Sequence, residues 1–104
     1  MPDAGVTLCA ILRVPEAGLE AFRTYEDAVL PLLKDHGGLL RQRLRTADGL
    51  TEVHVIWFPS PSHFSAYRDD PRRAAHAGMF DASGAMVEVL TVREVTGAAI
   101  IQEP

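Results

Sequence analysis

The sequence predicts an α+β domain, a four-stranded antiparallel sheet with two helices on one face. Three observations carry this. Val6 to Arg13 and Glu52 to Phe58 are β-branched and aromatic runs suited to the centre of a sheet. Residues 16–36 and 60–81 carry apolar residues at helical spacing. Asp48-Gly49, between two alternating segments, marks a hairpin.

Taken in order, Val6 to Arg13 is a first strand with apolar residues on both parities, and Pro15 ends it. Residues 16–36 form a long helix. Phe22, Tyr25, Val29, Leu32, Leu33 and His36 fall on one stripe, with Glu26 at its edge. Pro31 removes a backbone donor and kinks this helix. His36-Gly37-Gly38 stops it, with glycine in the left-handed cap.

In residues 39–46, Arg41, Arg43 and Arg45 alternate with Leu40, Gln42 and Leu44. A turn centred on Asp48-Gly49 pairs Arg45 with Glu52, Arg43 with His54 and Arg41 with Ile56 on one face. On the other face it pairs Leu44 with Val53, Gln42 with Val55 and Leu40 with Trp57. The second set reads as the face the helices cover. Pro59-Ser60-Pro61-Ser62 ends the strand and starts a second helical stretch over 60–81. Asp70-Pro71 restarts that stretch internally, and Ser83-Gly84 closes it. A last strand runs over 86–95. In the tail, 96–104, Ala98 to Ile101 are apolar enough to pair at an edge or with a neighbour.

The order β-α-β-β-α-β is the split βαβ, ferredoxin-like arrangement. Its open sheet face would carry Ile56 and Phe58 beside the arginines, Glu52 and His54, too apolar for bare exposure. A homodimer through that face is the expected solution.

With 104 residues the chain is expected to be one domain, 1–104, with its core at about 6–95. A net charge of −4 argues against nucleic acid as partner, because phosphate binding needs a basic footprint. Cys9 is the single cysteine and reads as a small buried strand residue. No basic-then-apolar leader and no apolar run of about 20 residues is present, so a cytoplasmic protein without membrane partners is expected.

The Pro31 helix running to His36-Gly37-Gly38 is followed by Trp57-Phe58-Pro59-Ser60 with Phe64, Tyr67 and Asp70-Pro71 beyond it. In this order, over about Val6 to Val95, the chain resembles the dimeric α+β barrel superfamily, and most of all its small bacterial members. The resemblance implies two sheets packed face to face in a homodimer, with a pocket in each subunit between sheet and helices. Its active members include cofactor-independent quinol monooxygenases, polyketide cyclases, lactone isomerases and haem-degrading oxygenases. The quinol-type members use a pocket asparagine and tryptophan; this chain has no asparagine, and Trp57 sits on a strand. Haem-degrading members use a histidine ligand and an asparagine. Tyr67 and His76 lie on the second helical stretch, but the asparagine is missing, so no haem or other cofactor is expected.

The candidate chemistry is sparse. Glu26 reads as a pocket acid or base with Tyr25 donating to a substrate oxygen, or as a helix-edge carboxylate beside a solvated tyrosine. His36 reads as a helix cap. His63 and Tyr67, four apart, are neighbours on one helix face. They are either an acid–base pair at a pocket mouth or a surface histidine on a partly buried tyrosine. Arg41, Arg43 and Arg45 with His54 and Glu52 either bind an anion inside the barrel or pair across strands. Asp69 with Arg72 and Arg73 reads as a solvated charge pair. No metal-ligand spacing occurs, so no metal is expected. The reading is therefore a small-molecule-binding protein with Glu26, His63 and Tyr67 as catalytic candidates. Tyr25, Trp57 and Phe64 would line the pocket. Oxygenase, isomerase or cyclase chemistry on a small organic substrate is one alternative; a non-catalytic dimeric binding or interaction module is the other.

Overall fold

The computed structural model describes residues 5–95; the apolar tail segment lies outside them. Strand β1, Val6–Arg13, leads through a 3-10 turn at Glu16–Gly18 into helix α1, Leu19–Val29. A 3-10 segment, Leu30–His36, follows. Strands β2, Leu39–Arg45, and β3, Thr51–Phe58, form the hairpin. Three short helices come next: α2, Pro61–Arg68; α3, Pro71–Ala74; α4, Ala77–Ser83. Strand β4, Met86–Val92, completes an antiparallel sheet of order β2-β3-β1-β4.

The punctuation residues act as their chemistry dictates. Past Leu30 and Pro31 the α-helix gives way to the tighter 3-10 winding, the local answer to a missing donor. Gly37 takes φ 71° and closes the segment. The side chains of Ser60 and Asp70 accept from the backbone N–H groups of His63 and Arg72, so each caps a helix with proline in its first turn. Asp70-Pro71 therefore breaks the second helical stretch rather than bending it.

Two cores lie between helices and sheet. Leu8, Ile56 and Phe58 pack against Leu33 and Tyr67, flanked by Phe64. Leu12 and Val14 pack against Phe22, flanked by Phe80. Phe22 and Phe58 are fully buried, each worth about 1.5–3 kcal/mol in transfer free energy. At Gly18 the 3-10 turn crosses α4 so closely that a Cβ would run into the Ser83 carbonyl.

The hairpin register is the expected one: Arg45 opposite Glu52, Arg43 opposite His54, Leu44 opposite Val53 and Gln42 opposite Val55. The loop is longer than a two-residue turn. Thr46 N–H donates to the Thr51 carbonyl, and Gly49, at φ 78°, donates to the Thr46 carbonyl. A four-residue loop centred on the same point keeps the same pairing. A bulge at Arg41 then shifts the register by one, so Leu40 faces Ile56 and Leu39 faces Trp57.

The faces are the reverse of the sequence-based expectation. Glu52, His54, Ile56 and Phe58 are buried under the helices, while Val53, Val55 and Trp57 are half-buried on the open side. Following the pairs across the sheet, the open face carries Leu44, Val53 and Ile11, then Val55, Cys9 and Leu90, then Trp57 and Val92. The physical reason is local neutralisation. Glu52 accepts from Arg43 Nε at 2.9 Å, Arg45 Nε at 2.8 Å and His54 Nε2 at 2.8 Å, which lets a carboxylate stay buried. Phe58 meanwhile fits under the rings of Phe64 and Tyr67.

Candidate functional site

A cavity of about 360 Å³ lies between the sheet and the helices, within the range of small-molecule sites. Its floor is the helix-facing row Leu8, Ala10, Leu12, His54, Ile56 and Phe58. Helix α1 places Tyr25, Glu26 and Val29 along one wall, because these share its sheet-facing stripe. Phe64 and Tyr67 of α2, Arg73 of α3 and Phe80 of α4 close the other side.

Polar groups converge at two places. Along the floor, His54 Nδ1 lies 3.9 Å from Glu26 Oε2, and Nε2 lies 2.8 Å from Glu52 Oε1. Glu26, His54 and Glu52 are all nearly inaccessible to solvent. Burial pushes the Glu26 carboxyl up to about 7; the nearby Glu52 charge adds to this, and Arg43 and Arg73 offset part of it. Burial also opposes the charge on Glu52, but hydrogen bonds from Arg43, His54 and Arg45 outweigh it and hold that carboxyl down at about 2. Burial lowers the His54 pKa, against the pull of Glu52, so the ring is neutral near pH 7.

Near the opposite wall, Arg73 Nη2 donates to the Tyr25 hydroxyl at 3.1 Å, and Nη1 donates to the Arg68 carbonyl at 3.2 Å. The guanidinium lies 4.7 Å from the centre of the Tyr67 ring. Its Nε is buried and has no hydrogen-bond partner among the described residues. The Tyr67 hydroxyl donates to the Val29 carbonyl at 3.3 Å, and burial raises its pKa to about 12. At neutral pH Tyr67 is therefore a neutral donor.

Of the residues singled out from sequence, Glu26, Tyr67, Tyr25 and Phe64 meet around this one cavity. Trp57 does not: it lies on the other face of the sheet, with Arg41 stacked 5.7 Å from its ring centre. His63 does not either. It is exposed and outside the cavity lining, and its Nδ1 is 2.7 Å from Ser60 Oγ at the start of α2. His36 bonds Asp70 Oδ2 at 2.7 Å and ties the 3-10 segment to the start of α3. Asp70 also takes Arg72, which reaches Asp35, so the charge pair expected at Asp69 forms chiefly at Asp70. Sequence reasoning weighed His54 only within a row that binds an anion or pairs across strands, and read Arg73 as part of a solvated charge pair, so neither stood among the site residues. The signal for His54 was its pairing with Arg43 beside Glu52, which makes a self-neutralised row. No periodic signal marks Arg73, which reaches Tyr25 only because the chain restarts at Pro71. Among the described residues, no cluster of three or more metal-ligating side chains occurs, and no helix is long and apolar enough to cross a membrane.

No protein-family model and no curated protein matches the sequence. Solved structures do match the fold. Rv0793 from Mycobacterium tuberculosis superposes with a TM-score of 0.71 at 19% identity, over 91% of this chain and 99% of that one. SnoaB, a cofactor-independent oxygenase from Streptomyces nogalater, gives 0.73 at 16% identity, over 93% and 99%. A candidate antibiotic biosynthesis monooxygenase from Caulobacter crescentus gives 0.70 at 15% identity, over 88% and 92%. At these identities the likeness is one of fold: the chain has a ferredoxin-like α+β fold, a four-stranded antiparallel sheet with helices on one face, in common with these three structures.

Proposed function

We propose that the protein binds a small, flat, largely apolar organic molecule in this cavity and removes a proton from it, with Glu26 as general base. The observation that carries the reading is the convergence of Glu26 and His54 on a largely apolar cavity. A carboxyl titrating near 7 is matched to base catalysis at neutral pH. Proton removal beside a carbonyl or on a hydroxy-aromatic ring leaves charge on an oxygen. Arg73 and Tyr25 supply donors for that oxygen, and Arg73 Nε is a donor without a partner among the described residues. Tyr67 and Phe64 give the substrate an aromatic wall.

The resulting carbanion is the common first intermediate of the oxygenase, isomerase and cyclase reactions. Reaction with dioxygen gives a hydroperoxide that loses water to a carbonyl; reprotonation elsewhere gives an isomer. SnoaB, similar in fold, is a cofactor-independent oxygenase, which favours the first course. The second reading is a dimeric binding module without chemistry. A dry, wholly apolar gap would favour it, and the buried Glu26–His54 pair weighs against it.

We further propose a homodimer through the open sheet face, now with Val53, Val55, Trp57 and Leu90 as its apolar contacts in place of Ile56 and Phe58.

The test uses β-tetralone, which is enolisable, and a naphthalenediol as probes. Deuterium exchange into β-tetralone is followed by NMR, and oxygen uptake with either probe by electrode. Exchange or uptake that disappears in Glu26→Gln supports the reading. Tight binding of both probes with neither exchange nor uptake would falsify it in favour of the binding module.

A further inference from the structure

We infer that Glu52, clamped by Arg43 and Arg45, fixes the ring proton of His54 on Nε2 and so presents Nδ1 to Glu26 as the acceptor for the substrate proton. This rests on the proposed role of Glu26 as base. Glu52 is 2% exposed, and both its oxygens are engaged: Oε1 by Arg43 Nε and His54 Nε2, Oε2 by Arg45 Nε. A carboxylate so held only accepts, so the hydrogen between it and His54 belongs to Nε2. The neutral ring then carries its lone pair on Nδ1, which faces Glu26 Oε2 at 3.9 Å. A swing of about an ångström brings that pair within hydrogen-bond reach.

The step balances simply. The substrate C–H or O–H breaks and an O–H bond forms on Glu26. That proton passes to Nδ1, leaving Glu26 anionic again and an imidazolium paired with Glu52; the proton then goes back through Glu26 to a carbon of the carbanion, or to the peroxide oxygen formed from it with dioxygen, which restores neutral His54 and anionic Glu26. The charged and titratable groups that face His54 are Glu26 from α1, Arg43 and Arg45 from β2 and Glu52 on its own strand. Arg73 of α3 lines the same cavity. The two arginines discourage a standing charge on the ring, which keeps it an empty acceptor between turnovers. Glu52 is thus a positioning residue and touches no substrate: it is absent from the cavity wall.

Nitrogen NMR of the histidine rings at neutral pH, with His54 identified by its loss in His54→Gln, reads the tautomer directly. The expected result is a neutral ring with the proton on Nε2. In Glu52→Gln the single tautomer becomes a mixture, and β-tetralone exchange falls about tenfold or more with unchanged probe affinity. A ring protonated on Nδ1 in the wild-type protein overturns the inference, whether or not Glu52→Gln folds. If the tautomer is as stated but the wild type exchanges no deuterium, the role of Glu26 fails, and the relay from it fails too.

Discussion

Arg73 on α3 and Tyr25 on α1 are joined by a 3.1 Å hydrogen bond that spans 48 positions of sequence. The bond sets the cation over the cavity at a fixed distance from Glu26's helix. Arg73→Lys keeps the charge but loses the planar fork that reaches Tyr25 and stacks on Tyr67. Affinity for a naphthalenediol should fall about tenfold, with Tyr25→Phe weaker in effect. Calorimetric titration of both variants checks this; an unchanged affinity in Arg73→Lys would remove Arg73 from the site.

Glu26 should leave a signature in pH stability. Its folded carboxyl is raised from 4.5 to about 7, so the folded chain holds that proton more tightly than the unfolded one. The associated stability is complete below about pH 4.5 and is lost as pH rises through 7, about 3 kcal/mol across the window. Glu26→Gln should therefore stabilise the protein at pH 8 more than at pH 5. Thermal melts of both proteins at the two pH values read the difference, which cancels the opposite dependence contributed by His54. Equal shifts at both pH values would count against a buried Glu26.

Glu52 behaves in the opposite sense. Its folded carboxyl is held at about 2, so its contribution is present above about pH 4.5 and disappears as pH falls toward 2. Glu52→Gln leaves two arginines without their shared partner and should cost about 3–5 kcal/mol. Trp57→Ala, on the half-buried open side, should cost less in the isolated chain. With Trp57 under the helices the order would be the reverse, while the pairing from Arg45 to Gln42 is the same for either assignment of faces. Urea unfolding of the two variants decides it: a larger loss in Trp57→Ala would restore the original assignment of faces.

Gly18→Ala tests the crossing of the 3-10 turn over α4. With the Ser83 carbonyl in the way, the two segments must part, at about 1–3 kcal/mol. A melting temperature equal to wild type would mean that the contact is looser than described.

Val53→Asp puts a charge in the open sheet face without touching the cavity. Light scattering should show the wild type at twice the chain mass and the variant at one chain mass. A monomeric wild type at micromolar concentration would end the proposed pairing.

Much of the fold was legible because it hangs on punctuation. Pro31, Gly37, Ser60, Asp70-Pro71 and Gly84 each do one local thing whatever the tertiary context. The hairpin pairing from Arg45 to Gln42 followed from the turn centre, whereas the bulge at Arg41 did not. The face of β3 was not legible, because both parities of Glu52 to Phe58 carry apolar residues and hydropathy favoured the set without Glu52 and His54. What tipped the balance was a network: three donors on one carboxylate, which no single strand displays. The site followed the same divide. Glu26, Tyr25, Phe64 and Tyr67 lie on stripes that periodicity reveals, whereas His54 needed the correct face and Arg73 needed the helix break.

That break has a consequence for how such a cavity can change. On an unbroken helix, positions 67 and 73 would point about 120° apart, yet here the Arg73 guanidinium rests on the Tyr67 ring. The base end of the cavity is built into the sheet and α1, while its cationic rim hangs on the short connection between α2 and α3, Asp69 and the cap Asp70. Adding or deleting a residue in that connection would re-aim the rim and leave the proton-handling end intact. Selectivity and chemistry thus occupy separable stretches of the chain, and one can drift while the other is kept.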